Sequence, residues 1–180
     1  DPTTNTETWN GTAWTEVSEL NTAGEYRAAS GTAAEVLAAG AYPLSANVES
    51  WNGTSWTEIN NISTARWEGS GTGSSSLGLI AGGHPGTPNA YATATEEFTA
   101  ATISDSIKTD GQVFYRSDTG DMKVSLTQYG TGAWASGGNL NQARYGNTGS
   151  GDGDTAITTG GYADAGTPAG YKGITEQYNG

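Results

Sequence analysis

One phrase constrains this chain more than any other. Glu49-Ser-Trp-Asn-Gly-Thr-Ser-Trp-Thr-Glu58 repeats almost letter for letter as Glu7-Thr-Trp-Asn-Gly-Thr-Ala-Trp-Thr-Glu16. Each copy reads as strand, tight turn, strand. Asn-Gly between alternating residues is a strong hairpin signal, and it predicts a type I′ turn. The phrase returns in weaker form as Gln128-Tyr-Gly-Thr-Gly-Ala-Trp134, and its opening recurs as Glu176-Gln-Tyr-Asn-Gly180. A hairpin recurring along a chain predicts a repeat architecture.

Aligning on Trp14, Trp56 and Trp134 exposes the rest of the unit. Six residues later stands Leu20, Ile62 or Leu140, and then Asn21-Thr-Ala-Gly24, Ser63-Thr-Ala-Arg66 or Asn141-Gln-Ala-Arg144. Ser30-Gly-Thr32, Ser70-Gly-Thr72 and Ser150-Gly-Asp152 follow. Each unit closes on an apolar or β-branched segment ending in small residues: Leu37-Ala-Ala-Gly-Ala-Tyr42, Leu79-Ile-Ala-Gly-Gly-His84 and Ile157-Thr-Thr-Gly-Gly-Tyr162. Trp14 and Trp56 are 42 residues apart, whereas Trp56 and Trp134 are 78 apart. An insertion therefore lies between Phe98 and Tyr129, with its distinct part at residues 103–126. Repeats start near residues 7, 49, 96 and 176. Helical apolar spacing is not sustained anywhere, so the fold class is all-β, with about four short antiparallel strands per unit. Leu77, Leu79 and Ala81 alternate as on a half-buried strand.

Double glycine, an aromatic, a tryptophan further on, then Leu and Arg resembles the kelch repeat: Gly82-Gly83, Phe98, Trp134, Leu140 and Arg144 stand in that order. The resemblance implies a β-propeller, its blades packed around an axis. The first unit departs from the pattern, with Gly40-Ala41 for the double glycine and Gly24 in the arginine slot, where Arg27 offers a substitute. About three blade equivalents are visible, and propellers generally have at least four. The chain opens at a third strand and stops within a hairpin at Asn179-Gly180. The expectation is a partial propeller, belonging to a larger chain or shared between copies in a homo-oligomer.

The chain has 180 residues, 19 acidic against 7 basic, and a net charge of −12. That balance argues against nucleic acid and anionic lipid as partners, since both call for a basic surface. No apolar run approaches a membrane span, and Asp1-Pro-Thr-Thr-Asn5 does not read as a signal peptide. There is no cysteine, and His84 is the lone histidine, in the slot that holds Tyr42 and Tyr162 elsewhere. A structural position for His84, no zinc or copper site and no cofactor are therefore expected. Asp152 and Asp154 in Gly151-Asp-Gly-Asp154 are a weak calcium candidate, with a drifted turn sequence as the plainer reading. Ser117-Asp-Thr-Gly-Asp121 faintly resembles the Asp-box of sialidases but reads as a turn. Glu7, Glu49, Glu96 and Glu176 recur once per unit, which suits a structural role or a solvated strand face better than a catalytic pair. Asn10, Asn52 and Asn61 head formal glycosylation sequons.

The loops 42–48, 84–94 and 162–174 vary between units, and binding usually resides in loops held by a rigid scaffold. They carry Tyr91, Tyr162 and Tyr171, which either stack on a ligand such as a sugar or cap the unit ends. The segment Gly111-Gln-Val-Phe-Tyr-Arg-Ser-Asp-Thr-Gly-Asp-Met-Lys-Val124 reads as an inserted hairpin. It is similar to short elements of bacteriophage tail-fibre and other virion proteins, and beside the Trp-rich repeats it resembles marine-phage structural proteins. That resemblance implies a non-enzymatic virion-surface or tail-fibre module whose loops meet a cell-surface glycan or protein receptor and whose other partners are virion subunits. The alternative is a bacterial extracellular structural or adhesive repeat protein, such as a filament subunit.

Overall fold

The computed structural model describes residues 1–87, 90–101, 132–163, 170 and 173–179, and the backbone alone of 113–116, 121–124 and 171. Among these residues every regular element is a strand. Strands β1 (Glu7–Trp9) and β2 (Trp14–Glu16) form a two-stranded sheet. Strands β3 (Ala28–Thr32), β4 (Glu35–Ala41), β5 (Ser45–Trp51) and β6 (Trp56–Ile59) form an antiparallel meander. The next sheet runs β7 (Ser70–Gly73), β8 (Leu77–Ala81), β9 (Thr95–Thr99) and then β12 (Ala133–Ser136). Between its last two strands the chain leaves to form the hairpin β10 (Val113–Arg116) and β11 (Asp121–Val124). The last large sheet is β13 (Thr148–Gly151), β14 (Ala156–Thr159) and β17 (Thr175–Tyr178), with a short pair, β15 (Tyr162–Ala163) and β16 (Gly170–Tyr171), inserted before β17.

The repeat read from sequence holds in strand register for the aromatic pairs, but the Ser-Gly alignment shifts by two residues in the second unit: Gly31, Gly73 and Gly151 share the positive φ, so Ser30 is level with Thr72 and Ser150, and Ser70 is level with Ala28. Trp9 faces Trp14, Trp51 faces Trp56 and Phe98 faces Trp134. The cross-strand partner of Trp134 is thus Phe98, on the far side of the insertion; residues 128–131 and the Ser117–Gly120 turn lie outside the described residues. The turn chemistry differs from the expected type I′. Gly11 and Gly53 take positive φ, 96° and 89°, but Asn10 and Asn52 do not. A four-residue loop leaves the asparagine free to cap it. Asn52 Oδ1 accepts from Thr54 N at 3.0 Å and Ser55 N at 2.9 Å, and Asn10 does the same for Thr12 and Ala13. Side-chain capping has replaced backbone strain.

The half-buried alternation expected of residues 77–81 is also overturned. Gly78 and Ile80 are buried along with Leu79 and Ala81. The strand lies between two neighbouring sheets, so both faces are covered, and β4 is covered likewise from Leu37 to Ala41. The core follows: Ala28, Ala39 and Val48 of the first four-stranded sheet meet Ile62 and Ile80 of the second unit, while Leu37 meets Phe98 and Ala100.

Small residues make this closeness possible. The first strands β3, β7 and β13 of successive sheets stand side by side. A Cβ on Gly71 would strike the Ala29 backbone, and one on Gly149 would lie 2.6 Å from Ser70 Oγ. At the same seams the backbone is hydrogen-bonded from unit to unit: Glu68 N donates to Tyr26 O at 2.9 Å, and Gly146 N to Glu68 O at 3.1 Å. Tyr26, Glu68 and Gly146 occupy one repeat position and share φ of 57°, 56° and 61°. Tyrosine and glutamate tolerate this left-handed backbone at a cost of roughly 1–2 kcal/mol each, offset by the link each makes to its neighbour.

Candidate functional site: an aromatic row across the units

Two repeat positions are brought together by one isolated bridge in each unit. Glu25 pairs with Tyr42, Trp67 with His84 and Tyr145 with Tyr162. Each bridge carries two backbone hydrogen bonds, such as Trp67 N to His84 O at 3.2 Å and His84 N to Trp67 O at 2.8 Å. The bridge follows from the glycines before it. Gly82 and Gly83, with φ of 70° and 98°, turn the chain so that His84 runs beside Trp67. His84 therefore occupies the same bridge position as Tyr42 and Tyr162.

The rings at these positions form a row. Tyr42 meets Trp67 edge-on at 5.3 Å, and Trp67 stacks on His84 at 4.2 Å with planes 16° apart. His84 meets Tyr91 edge-on, and Tyr91 stacks on Tyr145 at 4.7 Å. Tyr162 closes the row against both Tyr91 and Tyr145. Six rings from three units are thus continuous. Tyr42 is 46% exposed and the other five are half-buried, so the row has a covered side and an open one.

Of the sequence-predicted loop residues, Tyr91 and Tyr162 are brought together, with ring centroids 6.3 Å apart. Tyr171 stands opposite Tyr162 in the β15–β16 backbone pairing; its side chain lies outside the described residues. Sequence reasoning missed Tyr42, Trp67, His84 and Tyr145 as members of one surface. The signal was present: one set follows the glycines, and Trp67 and Tyr145 follow the arginines. Only the bridge shows that the two columns touch.

Polar groups border the row. His84 Nδ1 accepts from Gly86 N at 3.0 Å, which leaves the ring proton on Nε2 in the neutral form. Burial raises the pKa of Glu68 above its ordinary value, with His84 pulling the other way.

The residue before each of Trp67 and Tyr145 belongs to a repeated ion pair. Arg66 Nη2 meets Glu96 Oε1 at 2.5 Å, both side chains buried, and Arg144 pairs with Glu176. Arg66 Nη1 also donates to Gly82 O and Ala94 O; Arg144 Nη1 donates to Gly160 O and Ile174 O. Glu96 in turn accepts from Ser63 N, and Glu49 from Asn21 N and Thr22 N. Burial lowers the arginine pKa values, and for Arg66 the carboxylate partner counters that shift. In the first unit Arg27 takes over: its Nη1 reaches Gly40 O at 3.2 Å and its Nη2 stands 4.0 Å from Glu49. A Cβ on Gly24 would lie 3.0 Å from the Arg27 guanidinium, so the missing arginine leaves the space that its substitute fills. Glu49, Glu96 and Glu176 are held in structural pairs, whereas Glu7 is exposed.

In the weak calcium candidate Asp152 is engaged by its own turn: its Oδ1 accepts from Thr155 N at 2.8 Å and Asp154 N at 3.1 Å. Among the described residues no three acidic or histidine side chains converge.

No known protein family matches the sequence, and no curated protein does. Solved structures do match, and the likeness is one of fold. A structure titled "Structure of YjhT" is similar over 92% of this chain at 13% identity, with a TM-score of 0.60. The match spans 45% of that chain, so this one covers under half the length of its structural relative. Fold and comparison together define an all-β repeat protein built from successive antiparallel sheets.

Proposed function

We propose that the chain is an arc of a kelch-like β-propeller acting as a non-enzymatic binding module, with the aromatic row as its contact surface for a cell-surface glycan. Support for the arc comes from the adjacent first strands, the glycine seams, the unit-to-unit backbone bonds and the longer structural relative. The observation that carries the binding reading is the continuity of six rings from three units, which no single loop would produce. Half-buried aromatic rings are rigid and present a flat apolar face to the C–H face of a sugar, while nearby polar groups meet its hydroxyls. The hairpin at residues 113–124 supports a virion-surface or tail-fibre setting, with virion subunits as further partners. An extracellular adhesive or filament protein would use the same row without that hairpin.

A glycan array tests the reading. The wild-type chain is expected to bind a defined set of glycans, with Trp67→Ala and Tyr91→Ala each weakening binding about tenfold or more. Full binding by both variants, with folding intact, overturns it.

A further inference from the structure

The seam between the first and second four-stranded sheets is packed dry by apolar side chains, and the next seam carries hydroxyl residues instead. In the first, Ala28, Val48, Ile62 and Ile80 pack together. The same registers in the second seam hold Ser70, Thr95, Leu140 and Thr158. Thr95 precedes buried Glu96 as Val48 precedes Glu49, and Thr158 faces Glu176 as Ile80 faces Glu96. Three of the four apolar positions have become hydroxyls, and a cavity of about 60 Å³ opens between the sheets.

The walls of that cavity differ in kind. Leu79, Leu140 and the Tyr178 ring supply an apolar side; Ser70, Thr95 and Thr158 supply hydroxyls. Thr158 is already engaged, accepting from Asn147 Nδ2 at 2.6 Å and donating to Thr148 O at 3.2 Å. Thr95 is not: it is 2% exposed, and its Oγ1 has no hydrogen-bond partner. A buried hydroxyl without a partner is destabilising, so the site is incomplete without an occupant that hydrogen-bonds it. Glu176, at the cavity edge, is committed to Arg144 and to the Asn141 backbone and side-chain amides. Among its described residues the lining therefore offers no free cation for an anionic ligand.

We propose that this seam is a binding pocket for a small neutral polyol, a glycerol-sized molecule or the hydroxymethyl arm of a hexose. Its volume suits that choice, holding on the order of four water-sized groups. Its chemistry does too, since such a ligand has C–H groups for the leucine side and hydroxyls for Thr95. The inference stands apart from the aromatic row and does not depend on it.

Protein-observed NMR titration with glycerol and with methyl α-D-mannopyranoside tests it. Saturable shifts are expected at the Thr95, Asn141 and Thr158 amides. Thr95→Val, which installs the residue found at the equivalent position of the dry seam, is expected to stay folded and to weaken binding about tenfold. Thr95→Ser keeps the hydroxyl and is expected to retain binding. Absence of saturable shifts at the seam means that it holds water only, and overturns the proposal. So does unchanged affinity in Thr95→Val. Shifts confined to Trp67 and Tyr91 would support the aromatic row and still overturn the pocket.

Discussion

The two copies of the tryptophan phrase have nearly the same geometry and opposite surroundings. The Trp9–Trp14 centroids are 5.5 Å apart with planes at 46°; for Trp51–Trp56 the values are 5.4 Å and 45°. Both loops are capped by their asparagine. Yet Trp9 is 49% exposed and Trp14 65%, while Trp51 is 3% exposed. The difference is the company each hairpin keeps. Strand β5 pairs with β4 on its inner side, and Trp51 Nε1 donates to Ala33 O at 3.2 Å. Strand β1 pairs only with β2 among the described residues. The hairpin is thus a local product of its sequence, whereas its burial is conferred by the strands beside it in its sheet.

The ion pairs offer the sharpest way to break that distinction. Glu96→Ala leaves Arg66 buried without its partner, and a loss of about 3–5 kcal/mol is expected in urea unfolding. Glu7→Ala, at the same repeat position but exposed, is expected to change stability by less than about 0.5 kcal/mol. A large effect at Glu7 would mean that something covers the first hairpin in solution. The tryptophans extend the test. Trp51→Ala is expected to cost about 3–5 kcal/mol, since it empties a packed site. Trp9→Ala is expected to cost under about 1 kcal/mol, because most of its ring surface already meets water.

Much of this fold was legible in the sequence, and the reasons are local. Strand pairing in the tryptophan hairpins follows from residues at fixed repeat offsets, and Arg27 was visible as a substitute three residues past the arginine slot; the recurring glutamates were visible as a column, but their pairing with the arginines shows only in the structure. What escaped was created by neighbouring sheets. Residues 77–81 read as half-buried because one strand's alternation cannot reveal a second sheet on its other face, that of Gly78 and Ile80. The asparagine turns read as type I′ because Asn-Gly accommodates that backbone; register chose a longer loop. Tyr91 and Tyr162 were visible as loop tyrosines, but their union with Trp67, His84 and Tyr145 depends on a bridge that no single unit announces. The hydroxyl-lined seam was invisible for the same reason, since Ser70, Thr95 and Thr158 are ordinary strand residues until the dry seam beside them is known.

Glycines separate local strain from crowding. Gly82 and Gly146 have similar φ, 70° and 61°, but a Cβ on Gly82 would lie 2.7 Å from Arg144 O, whereas one on Gly146 meets nothing within 4 Å. Gly146→Ala is therefore expected to cost about 1–2 kcal/mol, the left-handed backbone alone. Gly82→Ala should cost more, because the Arg144 backbone must also move. Equal losses in thermal unfolding would show that the seam yields easily, and would weaken the view that glycine there serves close approach of the sheets.

The smallest effect is purely local and carries a pH signature. Asp152 caps its turn as Asn52 caps the tryptophan hairpin, but with a charged group. The backbone N–H of Thr155 is the largest cause holding its pKa below the ordinary 3.8, and the Asp154 N–H adds to it. A carboxyl depressed in the folded state favours folding above its unfolded pKa, and that contribution disappears as pH falls through the folded value. The stability difference between wild type and Asp152→Ala should therefore be constant above pH 3.8 and shrink as acid is added below it. Asn52→Ala, which removes a neutral cap, should give a difference that does not vary over the same range. If the Asp152 difference also stays flat into acid, its carboxylate charge contributes nothing to the turn, and the two caps are equivalent.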